Sequence, residues 1–236
     1  MTRLAATTRL DMSVQLRANL YYISIGLAVL LGLALRFLVP EQYLAGMIPA
    51  FYLTGIGGTT YIFVAGMLMF EKGERTLAAQ IVSPLTVNEY LIAKVVSLTL
   101  VVLLESTIVL LLAAGFSGYN PFLLYAGILF LAIGMTLGGF IQASPYDSVT
   151  DFLVPAVAIL LVLQLPLFFI TGISTSPLWY LVPTTAPALL LKAAFVPAAV
   201  ETWEIIYGFV YSIIWIVGLF FLARRAFYRN IILKGV

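Results

Sequence analysis

Six apolar runs recur along the chain, at residues 19–39, 47–70, 91–115, 121–143, 152–172 and 205–223. A helix of about 20 apolar residues crosses the roughly 30 Å hydrocarbon core of a bilayer. Six such helices with short connections occupy most of the 236 residues, so the expected fold is all-α, one integral membrane domain over residues 1–236. Composition agrees: 63% of residues are hydrophobic and 9% are charged, against roughly half and a quarter in soluble domains. The first run, at 21 residues, exceeds the roughly 7 to 15 residue core of a signal peptide and no small-residue cleavage site follows it, so it reads as a retained span.

The basic residues give an orientation. With the amino terminus in the cytoplasm, Arg3, Arg9, Arg17, Lys72, Arg75, Lys94, Arg224, Arg225, Arg229 and Lys234 lie inside, and only Arg36 and Lys192 lie outside. This positive-inside bias, with an even number of spans, puts both termini in the cytoplasm. The Arg224, Arg225 and Arg229 cluster also suits anionic lipid headgroups.

The chain contains no Cys and no His. Thiolate chemistry, disulfides, the commonest metal ligand and the usual proton-transfer side chain are all excluded. No lysine follows a glycine, so the Gly-Lys-Ser/Thr end of a phosphate-binding loop is absent. No catalytic set and no metal cluster can be assembled, and the chain is expected to be neither an enzyme nor the holder of a cofactor. A formal charge of +2 gives no reason to expect a nucleic-acid partner.

Residues 70–94 are the most informative segment. Good helix formers fill residues 74–82, and Pro84 stops that helix by excluding helical angles at the residue before it. Thr86 with Glu89 forms a capping box that starts the next helix. The expected product is a short helix across the mouth of two spans, acidic at its start, with Leu77 and Ile81 on one face. A solvated helical hairpin is the alternative.

The run Phe70-Glu-Lys-Gly-Glu-Arg-Thr-Leu77, then Val82-Ser-Pro-Leu85, then Glu89-Tyr-Leu-Ile-Ala-Lys94 resembles the signature loop of ABC-2 type transporter permeases. Residues 144–151, Ser-Pro-Tyr-Asp-Ser-Val-Thr-Asp, and residues 178–191 resemble the small bacterial drug-export permeases, particularly those for fluoroquinolone export. The resemblance implies an ABC-2 transmembrane domain that pairs with a second permease, identical or homologous, and with two ABC ATPase subunits that bind ATP and Mg. It implies an ATPase-coupling segment formed by Glu71, Glu74, Arg75, Thr76, Leu77, Ile81, Ser83, Pro84 and Leu85. It also implies an amino-terminal connecting helix. In residues 10–16, however, Leu10, Met12, Val14 and Leu16 alternate at a period of two, which is not an amphipathic-helix pattern.

Glu105, Gln164 and Trp215 are the candidates for a substrate path. An acidic side chain in the middle of span three costs roughly 2.5 to 3.5 kcal/mol on insertion scales. Glu105 is therefore either a substrate or proton site, or a protonated acid bonded to a neighbouring helix. Gln164, between Pro155 and Pro166, either meets a ligand or satisfies a carbonyl freed by a kink. Trp215 lies mid-span and either lines a cavity or is packed. Gly134 and Gly138 form a Gly-x-x-x-Gly suited to close helix packing. Between spans five and six, residues 173–204 hold Pro183, Pro187 and Pro197 around an apolar stretch at 188–195, too short to span and expected as a re-entrant or interfacial helix. Trp179, Tyr180, Trp203 and Tyr207 flank it as a headgroup-level belt.

The expected function is export of a hydrophobic or amphipathic small molecule by an ATP-driven complex. A proton-coupled carrier using Glu105 and a non-transporting membrane scaffold are the rivals. The carrier reading lacks the internal repeat between spans one to three and four to six that such proteins often show.

Overall fold

The computed structural model describes residues 3–74, 76–77 and 85–233. Six helices long and apolar enough to cross a membrane run over Leu20–Leu38, Glu41–Gly73, Val87–Ala113, Pro121–Ala143, Val149–Ile170 and Thr202–Ile232. No β-strand occurs among the described residues. Span four has the bounds expected from sequence. Spans two and three begin earlier than their apolar runs because a helix admits acid in its first turn, where Glu41 and Glu89 sit against the positive end of the helix dipole.

Local chemistry sets the starts. Thr86 and Glu89 form the expected capping box: Glu89 N donates to Thr86 Oγ1 at 3.3 Å and Thr86 N to Glu89 Oε2 at 2.8 Å. Asn120 Oδ1 accepts from Phe122 N and Leu123 N, with Pro121 at the first helical position where no amide is needed. Ser148 caps span five, and Glu201 with Glu204 forms a second capping box at span six.

The segment before span one is a helix, Arg3–Arg17. Its inward face is polar: Asp11 and Gln15, one turn apart, are buried, while Leu10 and Leu16 are about half exposed. A search for an apolar stripe cannot find such a helix, which is why the alternating pattern left its helicity open. Asn19, with φ of 58° in the left-handed region that short polar side chains tolerate, breaks this helix from span one.

Spans two, three and four carry the core, and spans one, five and six present most of their length outward. The amino-terminal helix and then span one lie along span three, with Gln15 beside Ser97 and Gly32 against Val109 and Leu112. Spans two and four cross at Gly139, where an added Cβ would lie 2.5 Å from Val64 Cγ1 and 2.7 Å from the Tyr61 carbonyl oxygen. The short helix expected around 188–195 is Thr185–Phe195. It is buried almost throughout, wedged among spans two, four and six rather than lying on the surface. Its aromatic flank is a cluster: Tyr180 meets Phe169, Trp203 and Tyr207 with ring centroids 5.1, 5.2 and 5.3 Å away, and Tyr207 stacks on Tyr211 at 5.0 Å. Tyr180 OH donates to Glu204 Oε1 at 2.5 Å, and burial followed by this bond holds the phenol above its usual range.

The Gly139 crossing is testable. Gly139→Ala is expected to force spans two and four apart and to destabilise the detergent-solubilised protein by about 1 to 3 kcal/mol. Gly134→Ala, where no atom lies within 4 Å of the added Cβ, is expected to leave thermal stability unchanged.

Candidate transport site

Lys94 sits near the start of span three with its side chain 2% exposed. Its Nζ donates to both Asp11 Oδ1 of the amino-terminal helix and Glu71 Oε1 of span two. An ammonium this buried is tolerated only when paired and when its partners' remaining lone pairs are satisfied. They are: Tyr90 OH donates to Glu71 Oε2 at 2.8 Å, Ser97 Oγ donates to Asp11 Oδ2, and Gln15 Nε2 donates to Asp11 Oδ2 at 2.9 Å and Ser97 Oγ at 2.8 Å. The Lys94 ammonium also lies 5.5 Å from the Tyr90 ring centre, and that ring packs on Phe140 of span four and Phe227 of span six. Beside this cluster, Lys72 Nζ donates to the carbonyls of Ser144 and Tyr146 at 2.9 and 2.7 Å and pairs with Asp147 at 3.0 Å. Asn230 Nδ2 donates to Ser144 Oγ at 2.8 Å, so both ends of the chain meet at one end of the bundle.

Deeper in, two spans lose regular helical geometry at the same level. In span two a π-turn covers Tyr52–Ile56, three residues past Pro49. In span five the helix Val149–Gln164 stops before Pro166 and resumes as Leu167–Ile170. Proline has no amide to donate, so carbonyls just before it need other donors. Thr184 Oγ1 supplies one to the Leu163 carbonyl, and Gln164 Nε2 reaches across to the Thr54 carbonyl in the π-turn at 3.4 Å. Wide turns and broken helices inside membrane spans concentrate at functional sites, because irregular backbone there must be buried or line a cavity.

A cavity of about 330 Å³ lies beside the break. Phe130, Met135, Leu163, Trp215 and Leu219 form apolar walls. Tyr61, Gln142, Thr184 and Ser212 supply the hydrogen-bonding groups, and no charged side chain among the described residues lines it. This volume is within the range of small-molecule sites, about 300 to 1,000 Å³. Gly134 and Gly138 line the cavity, so this Gly-x-x-x-Gly opens space, while the neighbouring Gly139 makes the close crossing.

The three substrate-path candidates are not brought together. Trp215 lines the cavity. Gln164 stands beside it in the bond to span two, so it satisfies a freed carbonyl, but one in span two rather than in its own helix. Glu105 is 1% exposed in span three, away from the lining, and neither carboxylate oxygen has a hydrogen-bond partner among the described residues. Of the coupling candidates, Glu71 belongs to the Lys94 cluster and Glu74 is exposed just past the end of span two. Leu77 is buried within the chain. Thr76 Oγ1 donates to the Glu71 carbonyl at 3.2 Å, and Leu85 lies half-buried just before the capping box. Arg75, Ile81, Ser83, Pro84 and most of the helix expected over residues 74–82 lie outside the described residues.

Asp11, Tyr61, Gln142 and Ser212 were not singled out from sequence. Asp11 and Gln15 at a one-turn spacing, with Lys94 and Glu71 at the edges of apolar runs, were the available signals of a buried polar contact.

Fold and cavity together define a polytopic membrane protein with a ligand-sized space between its spans. The chain belongs to the Fluoroquinolones export permease protein family, which it matches over residues 2–235. It is similar to the fluoroquinolones export permease protein of Mycobacterium tuberculosis in the strains CDC 1551 and H37Rv. Each relative is 33% identical over 236 residues, covering 100% of this chain and 99% of the relative.

Two substitutions test the site's electrostatics. Lys94→Met leaves two buried carboxylates facing each other and is expected to cost about 3 to 5 kcal/mol and to speed tryptic cleavage after Arg9 and Arg17. The triple change Asp11→Leu, Glu71→Leu, Lys94→Met is expected to recover much of that loss; if it is no more stable than Lys94→Met, the cluster is not an ion-pair clamp. Glu105→Gln is expected to leave insertion and thermal stability intact, whereas Glu105→Lys, with no acidic partner in reach, is expected to abolish assembly.

Proposed function

We propose that this chain is the transmembrane subunit of an ATP-driven ABC-2 exporter, forming the path with a second permease and coupling to separate ATPase subunits that bind ATP and Mg. The observation that carries the reading is that the two ends of the 70–94 segment, through Glu71 and Lys94, are held by buried ion pairs to each other and to the amino-terminal helix. A partner pressing on this segment would move spans two and three as one body. Span two carries the π-turn beside the break in span five, so that displacement would reach the cavity. Different contacts of cargo and ATPase with two such states are what transport requires. The full-length kinship with permeases named for fluoroquinolone export supports outward movement of an amphipathic small molecule. The positive-inside distribution of Lys and Arg supports placing the amino-terminal end of the bundle in the cytoplasm.

One observation favours a second reading. The buried Glu105 carboxylate without a partner among the described residues suits a proton-coupled carrier.

Affinity purification of the permease from its native membranes is expected to recover an ABC ATPase. Glu74→Arg is expected to recover several-fold less, with a deficit that shrinks as salt rises, because reversing an exposed charge slows association. Recovery of no ATPase with the parental chain would overturn the exporter reading. Equal recovery with Glu74→Arg would remove Glu74 from the contact.

A further inference from the structure

We infer that the cavity bounded by spans two, four, five and six is a binding site for an uncharged, elongated, largely apolar molecule that presents a hydrogen-bond acceptor to Gln142. This deepens the export reading and, as a cargo site, rests on it.

The shape comes first. The lining runs along span four from Phe130 to Gln142, twelve residues apart, or about 18 Å at 1.5 Å per residue. A volume of about 330 Å³ drawn out over that length makes a slot rather than a globe. Trp215, Phe130 and Met135 offer flat or deformable apolar walls suited to fused rings or a chain.

The polar groups then fix the ligand's ends. At the Gln142 end, Tyr61 OH donates to Gln142 Oε1, which fixes the amide and leaves its Nε2 hydrogens with no acceptor among the described residues. Toward the other end, Ser212 is 4% exposed, and its hydroxyl has no partner among the described residues although it lines the cavity. Ser212 is the buried one of the two and lacks the bond that a buried polar group requires, while Gln142 is half-buried and has amide donors to offer an occupant. Thr184 is not a third such group, because its hydroxyl already donates to Leu163.

Charge is excluded by the same lining. Among the described residues neither an acidic nor a basic side chain faces the space, so an ionic ligand would lose its water without gaining a counter-charge. Glu105, the buried acid of span three, is not in the lining and cannot serve as a counter-ion there.

The entry route is sideways. Ile159 of span five and Trp215 and Leu222 of span six belong to the lining and are 42%, 39% and 52% exposed. The slot is thus open at its side between spans five and six, along faces made almost wholly of apolar side chains.

The test is a titration of the purified, full-length permease with Nile red, an uncharged, flat, elongated dye with a carbonyl acceptor, read by its emission and by energy transfer from tryptophan. A saturable component is expected above the micelle background, and the permanently cationic dye rhodamine 6G is expected not to compete for it. Gly134→Phe, built where no atom lies within 4 Å of the new Cβ, is expected to abolish saturable binding by filling the slot. Gln142→Leu is expected to weaken it about tenfold, the effect of one lost hydrogen bond. Gly26→Leu, which also enters open space but lies in span one, is expected to bind as the parent does and to report the cost of added bulk alone. Displacement by dioleoylglycerol would assign the occupant to bilayer lipid, and failure to displace would assign it to a molecule from outside the membrane's own lipids; both support the site. Equal binding by the parent, Gly134→Phe and Gln142→Leu, or competition by rhodamine 6G, overturns it. The titration uses neither ATPase nor nucleotide. Loss of binding with ATPase recovery intact therefore sinks the site alone, and loss of ATPase recovery with binding intact sinks the exporter reading alone.

Discussion

A single ammonium group, that of Lys94, is the point on which one end of the bundle depends. It draws the amino-terminal helix through Asp11 and span two through Glu71 onto span three. The ring of Tyr90, held by Glu71, carries the contact on to spans four and six through Phe140 and Phe227. Charges in so dry a place are worth keeping only as a complete set, since removing one partner strands the others. The cluster therefore acts as an all-or-none fastener, and through it the amino-terminal helix buries Asp11 and Gln15, with Val14 packed on the core beside them. Lys72 repeats the device nearby by capping the carbonyls that follow span four.

Away from that end the bundle is deliberately irregular. Span two widens at Tyr52–Ile56 and span five breaks at Pro166; Gln164 joins the two discontinuities, and Thr184 ties the break in span five to the start of the short helix. Regular helices satisfy their own backbone, so a carbonyl served by a side chain from another element marks a place where elements can exchange partners. The cavity lies against this place, between a tight crossing at Gly139 and open space at Gly134. Stiff fastening at one end and exchangeable bonds in the middle suit a molecule that passes a push at its ends to a slot at its centre.

Much of the fold was legible because bilayer thickness imposes a length that apolar runs report directly. Span four and the Thr86 to Glu89 capping box matched the sequence in detail, since both rest on local chemistry. The helix Arg3–Arg17 was not legible from apolar periodicity, because its buried face is Asp11 and Gln15. The cavity was legible only at Trp215. Gln142 lies at the end of an apolar run and Ser212 in the middle of one, and a lone polar residue there does not reveal that its partner is a space rather than another helix. Glu105 was found by its cost, but its distance from the slot could come only from the packing of span three.

Transport by reconstituted vesicles decides the central claim that this permease moves cargo by coupling to an ATPase at its fastened end. Permease and ATPase are placed together in proteoliposomes, and uptake is measured with ATP and Mg, with a non-hydrolysable nucleotide, and with a proton gradient alone. ATP-dependent uptake that vanishes without the ATPase and is unchanged in Glu105→Gln is the expected result. Uptake driven by the gradient alone, lost in Glu105→Gln and indifferent to the ATPase, would contradict it.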